Sequence, residues 1–134
     1  MIKLAKANNP SANFIVKDCR TFNTSERKFD IVISRFFSPY LSKSEVIQFI
    51  EDSSKTLTRD GLLYISTMED KHSESGLTKG SSGDEICMHY YEESFLSEVL
   101  ADRYFEVVYS ERIKSVASDD TDTTDLILVS RKIR

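Results

Sequence analysis

The sequence predicts an α/β protein: a three-layer and mostly parallel sheet that ends in an antiparallel strand pair. Three observations support this fold class. Short apolar segments alternate with segments of helical periodicity, one of the early strands is apolar on both faces, and the last two strands follow each other directly. Two strands joined by a short link must pair antiparallel, so the sheet is expected to end with one reversed strand.

Length, charge and cysteine usage narrow the class of protein. The chain has 134 residues, which is the usual size of one domain, so residues 1–134 are expected to form one domain or part of one. A net charge of −4 leaves no basic surplus for nucleic acid. Cys19 and Cys87 stand alone, which favours reduced thiols in a cytoplasm. No apolar run approaches the roughly 20 residues of a membrane span. We therefore expect a cytoplasmic protein without a nucleic-acid or membrane partner.

The first elements are one helix end and two strands. The segment "MIKLAKANN" contains helix formers and stops before Pro10, as the end of a helix does. The segment "NFIVK" is predicted to be a strand. A second strand, "KFDIVIS", is apolar on both faces after Asp30, which is typical of a buried parallel strand.

The central elements are a helix and a third strand. Apolar residues recur at helical spacing between 42 and 57, and Ser42 with Glu45 predicts a capping box at the first turn. Gly61 is expected to end this helix. The apolar segment "LLYIST" then predicts the third strand.

The second half begins with a long polar segment. Residues 71–85 are hydrophilic and contain three of the four glycines, which predicts a flexible loop or lid. Residues 91–102 form an amphipathic helix, and "FEVVYSERI" and "TDLILVSRK" form the closing strands. The link "SDDTDT" has alternating carboxylates, but it lacks the glycine and glutamate of a calcium loop and is expected to be a solvated turn.

The order of these elements resembles that of the class I S-adenosylmethionine-dependent methyltransferases of the small-molecule type. The resemblance covers almost the whole chain and includes the stretches "MIKLAKANNPSANFIVKDCRTF", "KFDIVISRFFSPYLS", "LTRDGLLYIST" and "HYYEESFLSEVLADRYFEVVYSERI". It implies a Rossmann-like sheet, S-adenosylmethionine as the cofactor, a small-molecule methyl acceptor and no metal.

The resemblance also implies two sets of site residues. On the cofactor side, Asp18 and Cys19 would recognise the adenine, as an acid and a small residue at a strand end. The residues after the next strand would line the cofactor pocket: Ser34, Arg35 and Phe36. On the substrate side, aromatic residues around the same pocket would contact the acceptor: Phe37, Tyr40, His89 and Tyr90.

Each of these residues also has a structural interpretation. Asp18 is equally suited to a turn or cap, since Asp is favoured in such positions. Cys19 is a small side chain of a type that is often partly buried. Residues 35–37 could form a helix-capping loop, and a single histidine near aromatic residues, such as His89, more often has a structural role.

One part of the family's pattern is absent. The family's glycine-rich loop lets backbone N–H groups approach the methionine part of the cofactor, and a further strand ends in an acid for the ribose; residues 1–13 supply neither. The resemblance therefore implies a carboxyl-terminal portion without the first two strands, in which Met1 is an internal methionine, the start of a shortened reading frame or a cloning boundary. In the family these strands lie between "NFIVK" and "KFDIVIS", so we expect those two to pair directly or another copy to supply an edge, as in a homodimer.

Two functions remain open from the sequence. The chain is either a methyltransferase fragment that is inactive without its amino-terminal half, or a non-catalytic module that binds itself or a partner through an open sheet edge. A nicotinamide-dependent enzyme is disfavoured by the closing antiparallel pair.

Overall fold

The computed structural model describes residues 2–16, 18, 20, 27–36, 38–70, 75–79, 85–116 and 122–134. Its helices are α1 (Ile2–Asn8), α2 (Lys43–Thr56) and α3 (Glu93–Asp102), with a 3₁₀ turn at Ser38–Tyr40. Its strands are β1 (Phe29–Arg35), β2 (Leu57–Met68), β3 (Gly76–Lys79), β4 (Glu85–Met88), β5 (Phe105–Val116) and β6 (Asp122–Lys132). This order confirms the predicted α/β class.

Four strands form the main sheet in the order β1-β2-β6-β5. β1 is parallel to β2, whereas β6 is antiparallel to both of its neighbours, β2 and β5. Three strands therefore run in one direction and β6 runs in the other, as predicted for the closing pair. The carboxyl ends of β1 and β2 meet at one edge of the sheet, which we call the carboxyl edge.

Helices α2 and α3 cover one face of the sheet and form the core with it. Because side chains alternate along a strand, Leu63 and Ile65 of β2 point to this face, where both are almost fully buried. The helices contribute the following buried apolar residues: Val46, Phe49, Ile50, Leu96, Val99 and Leu100. Burial of this apolar surface is the main force that holds the two layers together.

The opposite face of the sheet is open in the part of the chain that the structure describes. Ile31 and Ile33 of β1 point to it and are more than half exposed, and α1 has no buried residue. The prediction that "KFDIVIS" is buried on both faces is therefore wrong. β1 lies at the edge of the described sheet with helices on one side only, so half of its apolar residues remain accessible.

The predicted capping box of α2 is confirmed. The backbone N–H of Glu45 donates to Ser42 Oγ at 3.3 Å, and the N–H of Ser42 donates to Glu45 Oε1 at 3.0 Å. Two backbone donors at the start of the helix are thereby satisfied reciprocally.

The prediction that Gly61 ends α2 is wrong. The helix ends at Thr56, and Leu57 is extended, fully buried and paired with Phe29 of β1. Burial of Leu57 in the core therefore starts the strand before the glycine is reached. Gly61 lies instead at an irregularity of the β1–β2 ladder, where a Cβ atom would come within 2.8 Å of the Thr58 carbonyl oxygen.

The prediction of a strand at "NFIVK" is also wrong for its described residues. Residues 13–16 have no regular secondary structure, and Ile15 and Val16 are 81% and 84% exposed. A strand needs a neighbour for its backbone N–H and C=O groups, and β1 is paired only with β2 among the described strands. The described residues of the two segments do not pair with each other, and an edge from another copy stays a prediction.

The predicted loop at 71–85 contains a strand. β3 pairs antiparallel with β4 as a separate two-stranded sheet. Residues 71–74 and 80–84 of the loop, and most of the "SDDTDT" link, lie outside the described residues, so a role as a lid stays a prediction. None of the described helices has both the length and the apolar character needed to cross a membrane.

Candidate functional site

The carboxyl edge gathers most of the predicted site residues. In open α/β sheets, ligands bind outside the carboxyl ends of the parallel strands. Phe36 and the 3₁₀ turn follow β1 at this edge, Glu69 follows β2, and residues 89–92 lead from β4 into α3.

The chain leaves β1 through a strained residue. Phe36 has a φ of 52°, in the left-handed region that non-glycine residues rarely adopt. Its N–H donates to the Ser66 carbonyl at 2.9 Å, which extends the contact with β2 by one residue. Such strain is frequent at ligand sites because it directs a side chain that regular geometry would not.

Three predicted substrate residues lie in adjacent segments. The N–H of His89 donates to the Pro39 carbonyl at 2.8 Å, which places His89 beside the turn that ends at Tyr40. The N–H of Tyr90 donates to Ser75 Oγ at 2.9 Å. Tyr40 is exposed and the other two are half-buried. The fourth predicted substrate residue, Phe37, lies outside the described residues.

Tyr91 anchors this arrangement. It is fully buried, and its hydroxyl donates to the Leu41 carbonyl. Its ring stacks on those of His89 and Phe95, with centroid distances of 6.4 and 5.5 Å. Burial raises the pKa of Tyr91 above its ordinary value, so the side chain stays neutral. The residue therefore positions the His89 segment.

The structure separates Ser34 from Arg35 and Phe36. Ser34 points to the packed face and is fully buried, with no hydrogen-bond partner for its hydroxyl in the described residues. Arg35 points to the open face, where it lines a groove of about 470 Å³. The other residues of this groove are Ile33, Phe36, Tyr64, Ile113, Asp125 and Ile127. Adjacent residues of a strand face opposite sides of the sheet, so Ser34 does not share the groove that Arg35 and Phe36 line.

Asp18 is exposed and engaged by Arg20. The Arg20 guanidinium donates to both carboxylate oxygens, with distances of 2.9 and 2.6 Å from Nε and Nη2 to Oδ1 and Oδ2. These hydrogen bonds lower the pKa of Asp18 to about 2. Arg20 Nη1 also lies 3.6 Å from Glu45 Oε2, which places Asp18 near the first turn of α2. The role of Asp18 in binding the adenine of the cofactor stays a prediction, and Cys19 lies outside the described residues.

The sequence reasoning missed an acidic cleft of about 690 Å³ at the carboxyl edge. Arg112 of β5 lies in this cleft among four carboxylates, those of Glu69, Asp70, Glu92 and Glu93. Ser94 and Ser97 complete the lining. Arg112 donates to Glu69 and to Glu93, and the bond to Glu69 holds the pKa of that carboxyl below its usual range. The sequence feature that could have predicted this cleft is the acidic pair Glu69 and Asp70, which directly follows β2.

The described residues contain no group of three or more His, Cys, Asp or Glu side chains that could hold a metal ion. Cys87 Sγ lies 3.6 Å from His89 Nε2, but these two side chains have no third ligand of that kind beside them.

Comparison with known proteins identifies the class of fold. No family model matches the sequence, and no curated protein matches it. Solved structures do match. An S-adenosylmethionine-dependent methyltransferase from Methanosarcina mazei aligns with 98% of this chain and 77% of its own length, with a TM-score of 0.81 and 16% identity.

Two further matches were solved with ligands. The 1,6-didemethyltoxoflavin-N1-methyltransferase of Burkholderia thailandensis, with bound 1,6-didemethyltoxoflavin and S-adenosylhomocysteine, has a TM-score of 0.71 and 18% identity, covering 99% of this chain and 56% of its own. The N-methyltransferase NodS of Bradyrhizobium japonicum, in complex with S-adenosylhomocysteine, has a TM-score of 0.67 and 14% identity, covering 99% and 62%. This chain therefore spans roughly half to three quarters of these proteins and has a class I methyltransferase-like fold.

The described residues do not by themselves fit S-adenosylmethionine. No glycine precedes Gly61, so the first 60 residues offer no turn in which backbone N–H groups could approach the methionine part closely. Both carboxylate oxygens of Asp18 already accept hydrogen bonds from Arg20. Gly61 itself is buried in the β1–β2 irregularity.

Proposed function

We propose that this chain forms the acceptor side of an S-adenosylmethionine-dependent methyltransferase that acts on a small molecule, and that activity requires a glycine-rich segment that its sequence lacks. The observation that carries the proposal is the similarity of nearly the whole chain to methyltransferases, with a TM-score of 0.81 for the Methanosarcina mazei protein. A small-molecule acceptor is favoured by the ligand of the Burkholderia thailandensis enzyme.

The acceptor side would be formed by the aromatic residues of the carboxyl edge. Tyr40, Tyr90 and the strained Phe36 offer apolar walls, and His89 offers a titratable group beside them. Small-molecule sites are usually built in this way, from apolar walls and a few fixed polar groups. The exposed free thiol of Cys87 suits a reducing cytoplasm, which is the location that we propose.

Calorimetric titration with S-adenosylhomocysteine tests this proposal. The titration compares the chain alone with a fusion in which the glycine-rich half of the Methanosarcina mazei protein precedes it. We expect no binding by the chain alone and binding by the fusion. As a matched control, the same fusion with valines in place of the loop glycines is expected to lose binding, because side chains would block the backbone approach.

Two outcomes would contradict the proposal. Binding by the chain alone would show that no glycine-rich segment is needed. A fusion that is folded by circular dichroism but binds no S-adenosylhomocysteine would contradict the methyltransferase assignment itself.

A second function is a non-catalytic module that associates through its sheet. The favouring observation is the exposure of Ile31 and Ile33 on the edge strand β1, which has neighbours on one side only in the described sheet. A module of this kind would leave the fusion unable to bind S-adenosylhomocysteine, so the same titration separates the two functions.

A further inference from the structure

The open face of the main sheet has the composition of an interface. Its centre is a row of apolar and aromatic side chains that crosses all four strands in register: Ile33, Tyr64, Val129 and Tyr109. Ile33 and Tyr109 are 68% and 51% exposed, and Ile113 near the same face is 45% exposed. Monomeric proteins rarely leave a continuous apolar surface of this kind accessible to water.

The next row toward the carboxyl edge carries opposite charges at its two ends. Arg35 of β1 pairs with Ser66, Ser66 with Ile127, and Ile127 with Glu111 of β5. The positive and negative ends are therefore separated by three strand spacings, about 14 Å. An apolar centre with a charged rim is the usual anatomy of a protein–protein interface.

We propose that two copies of this chain pack open face to open face as a two-sheet sandwich. A two-fold axis along the strands, between β2 and β6, would place β1 of one copy over β5 of the other. It would set Arg35 over Glu111 of the second copy, and Glu111 over the second copy's Arg35. In the central row, Ile33 would meet Tyr109 and Tyr64 would meet Val129. These two rows are thus complementary to themselves in charge and apolar pattern.

The size of the face suits this occupant. Four strands about 4.8 Å apart, with about 25 Å of strand length, give a flat area of about 500 Å². Because side chains project from the sheet, the accessible area of the face is larger than this flat area and approaches the roughly 800 Å² per partner of a standard interface. Pairing of two β1 edges, by contrast, would leave Tyr109 and Ile113 on the distant strand β5 accessible to water. Packing by the face therefore explains the exposed residues better than pairing by the edge.

The molar mass in solution, measured by light scattering over a series of concentrations, tests the inference. The unmodified chain is expected to be dimeric. Tyr109→Glu is expected to be monomeric, because a carboxylate would enter the apolar centre. Ala101→Glu changes an exposed residue of α3, which covers the other face of the sheet, and is expected to remain dimeric.

A charge exchange tests the orientation. Arg35→Glu alone is expected to lower the dimer fraction at least several-fold, because it opposes Glu111, and Arg35→Glu with Glu111→Arg is expected to restore it. A monomeric unmodified chain, or a dimeric Tyr109→Glu variant that is folded by circular dichroism, would overturn the inference. Failure of the exchange to restore dimers would overturn the proposed two-fold axis. The inference rests on the sheet geometry and does not depend on cofactor binding.

Discussion

Arg112 of β5 forms an ion pair with Glu69, the residue that follows β2. Arg112 Nε lies 2.5 Å from Glu69 Oε1, and Nη2 lies 3.1 Å from Oε2. The same carboxylate accepts the backbone N–H of Glu93, the first residue of α3, at 3.1 Å. The N-cap residue itself, Glu92, makes no side-chain cap hydrogen bond. Helix α3 is therefore capped by Glu69, the residue that follows β2, near the positive end of the helix dipole.

Replacement of this cap is expected to destabilise the protein. Glu69→Ala removes the acceptor of the Glu93 N–H and is expected to lower the free energy of unfolding by about 1 to 2 kcal/mol, as measured by urea denaturation. Most of this loss is assigned to the cap, because Arg112 is partly exposed and such ion pairs contribute little. The matched control, Glu92→Ala, is expected to have almost no effect. Equal losses in the two variants would contradict the assignment of the cap.

The Glu69 contribution is expected to depend on pH. Arg112 lowers the pKa of Glu69 in the folded state below the unfolded value, which is about 4.3. The contribution is therefore complete above that value and is lost as the pH falls through the lower, folded pKa. Compared with Glu69→Gln, the unmodified protein is expected to be more stable near neutral pH, with a difference that shrinks below about pH 4. Thermal denaturation of both proteins between neutral pH and about pH 4 and below measures this difference in stability. A difference that does not change with pH would exclude the Glu69 carboxylate as its source.

Removal of the Tyr91 hydroxyl is expected to weaken the site's support. Tyr91→Phe leaves the Leu41 carbonyl without this donor, and we expect a loss of about 1 to 2 kcal/mol in the free energy of unfolding. Tyr40→Phe, at an exposed tyrosine of the same region, is expected to change stability by less than about 0.5 kcal/mol. If both variants unfold at the same denaturant concentration as the unmodified chain, the buried bond is not stabilising.

A methyl group at Gly61 is expected to be harmful. The Cβ atom of Gly61→Ala would lie 2.8 Å from the Thr58 carbonyl oxygen and 3.2 Å from that of Asp30, so the backbone would have to shift. We expect a loss of about 1 to 3 kcal/mol. At Gly76 no described residue lies within 4 Å of the same atom, and Gly76→Ala is expected to be nearly neutral. Chemical denaturation of the pair tests this, and a neutral Gly61→Ala would show that the irregularity can relax.

Local signals in the sequence predicted the elements whose causes are local. Ser42 and Glu45 are three residues apart on one chain segment, and their reciprocal hydrogen bonds form as expected. The short link between the closing strands likewise leaves only antiparallel pairing, which is observed between β5 and β6.

Predictions that depended on distant partners were less successful. "NFIVK" has strand-forming residues, but no described strand lies beside it, and Ile15 and Val16 remain exposed. Similarly, the apolar pattern of β1 indicates burial on two faces, while the part of the chain that the structure describes covers only one of them. Pattern alone cannot reveal whether a neighbouring layer is present.

The candidate site divides in the same way. The sequence determined that polar and aromatic residues follow β1 and precede α3, because strand ends and turns select such residues. Only the tertiary structure decided that His89 lies against the turn at Pro39, and that Arg112 reaches Glu69 across 43 positions of sequence. It also decided that Ser34 and Arg35 face opposite sides. The physical reason is that periodicity is a property of one segment, whereas hydrogen bonds and burial across the sheet depend on which segments become neighbours.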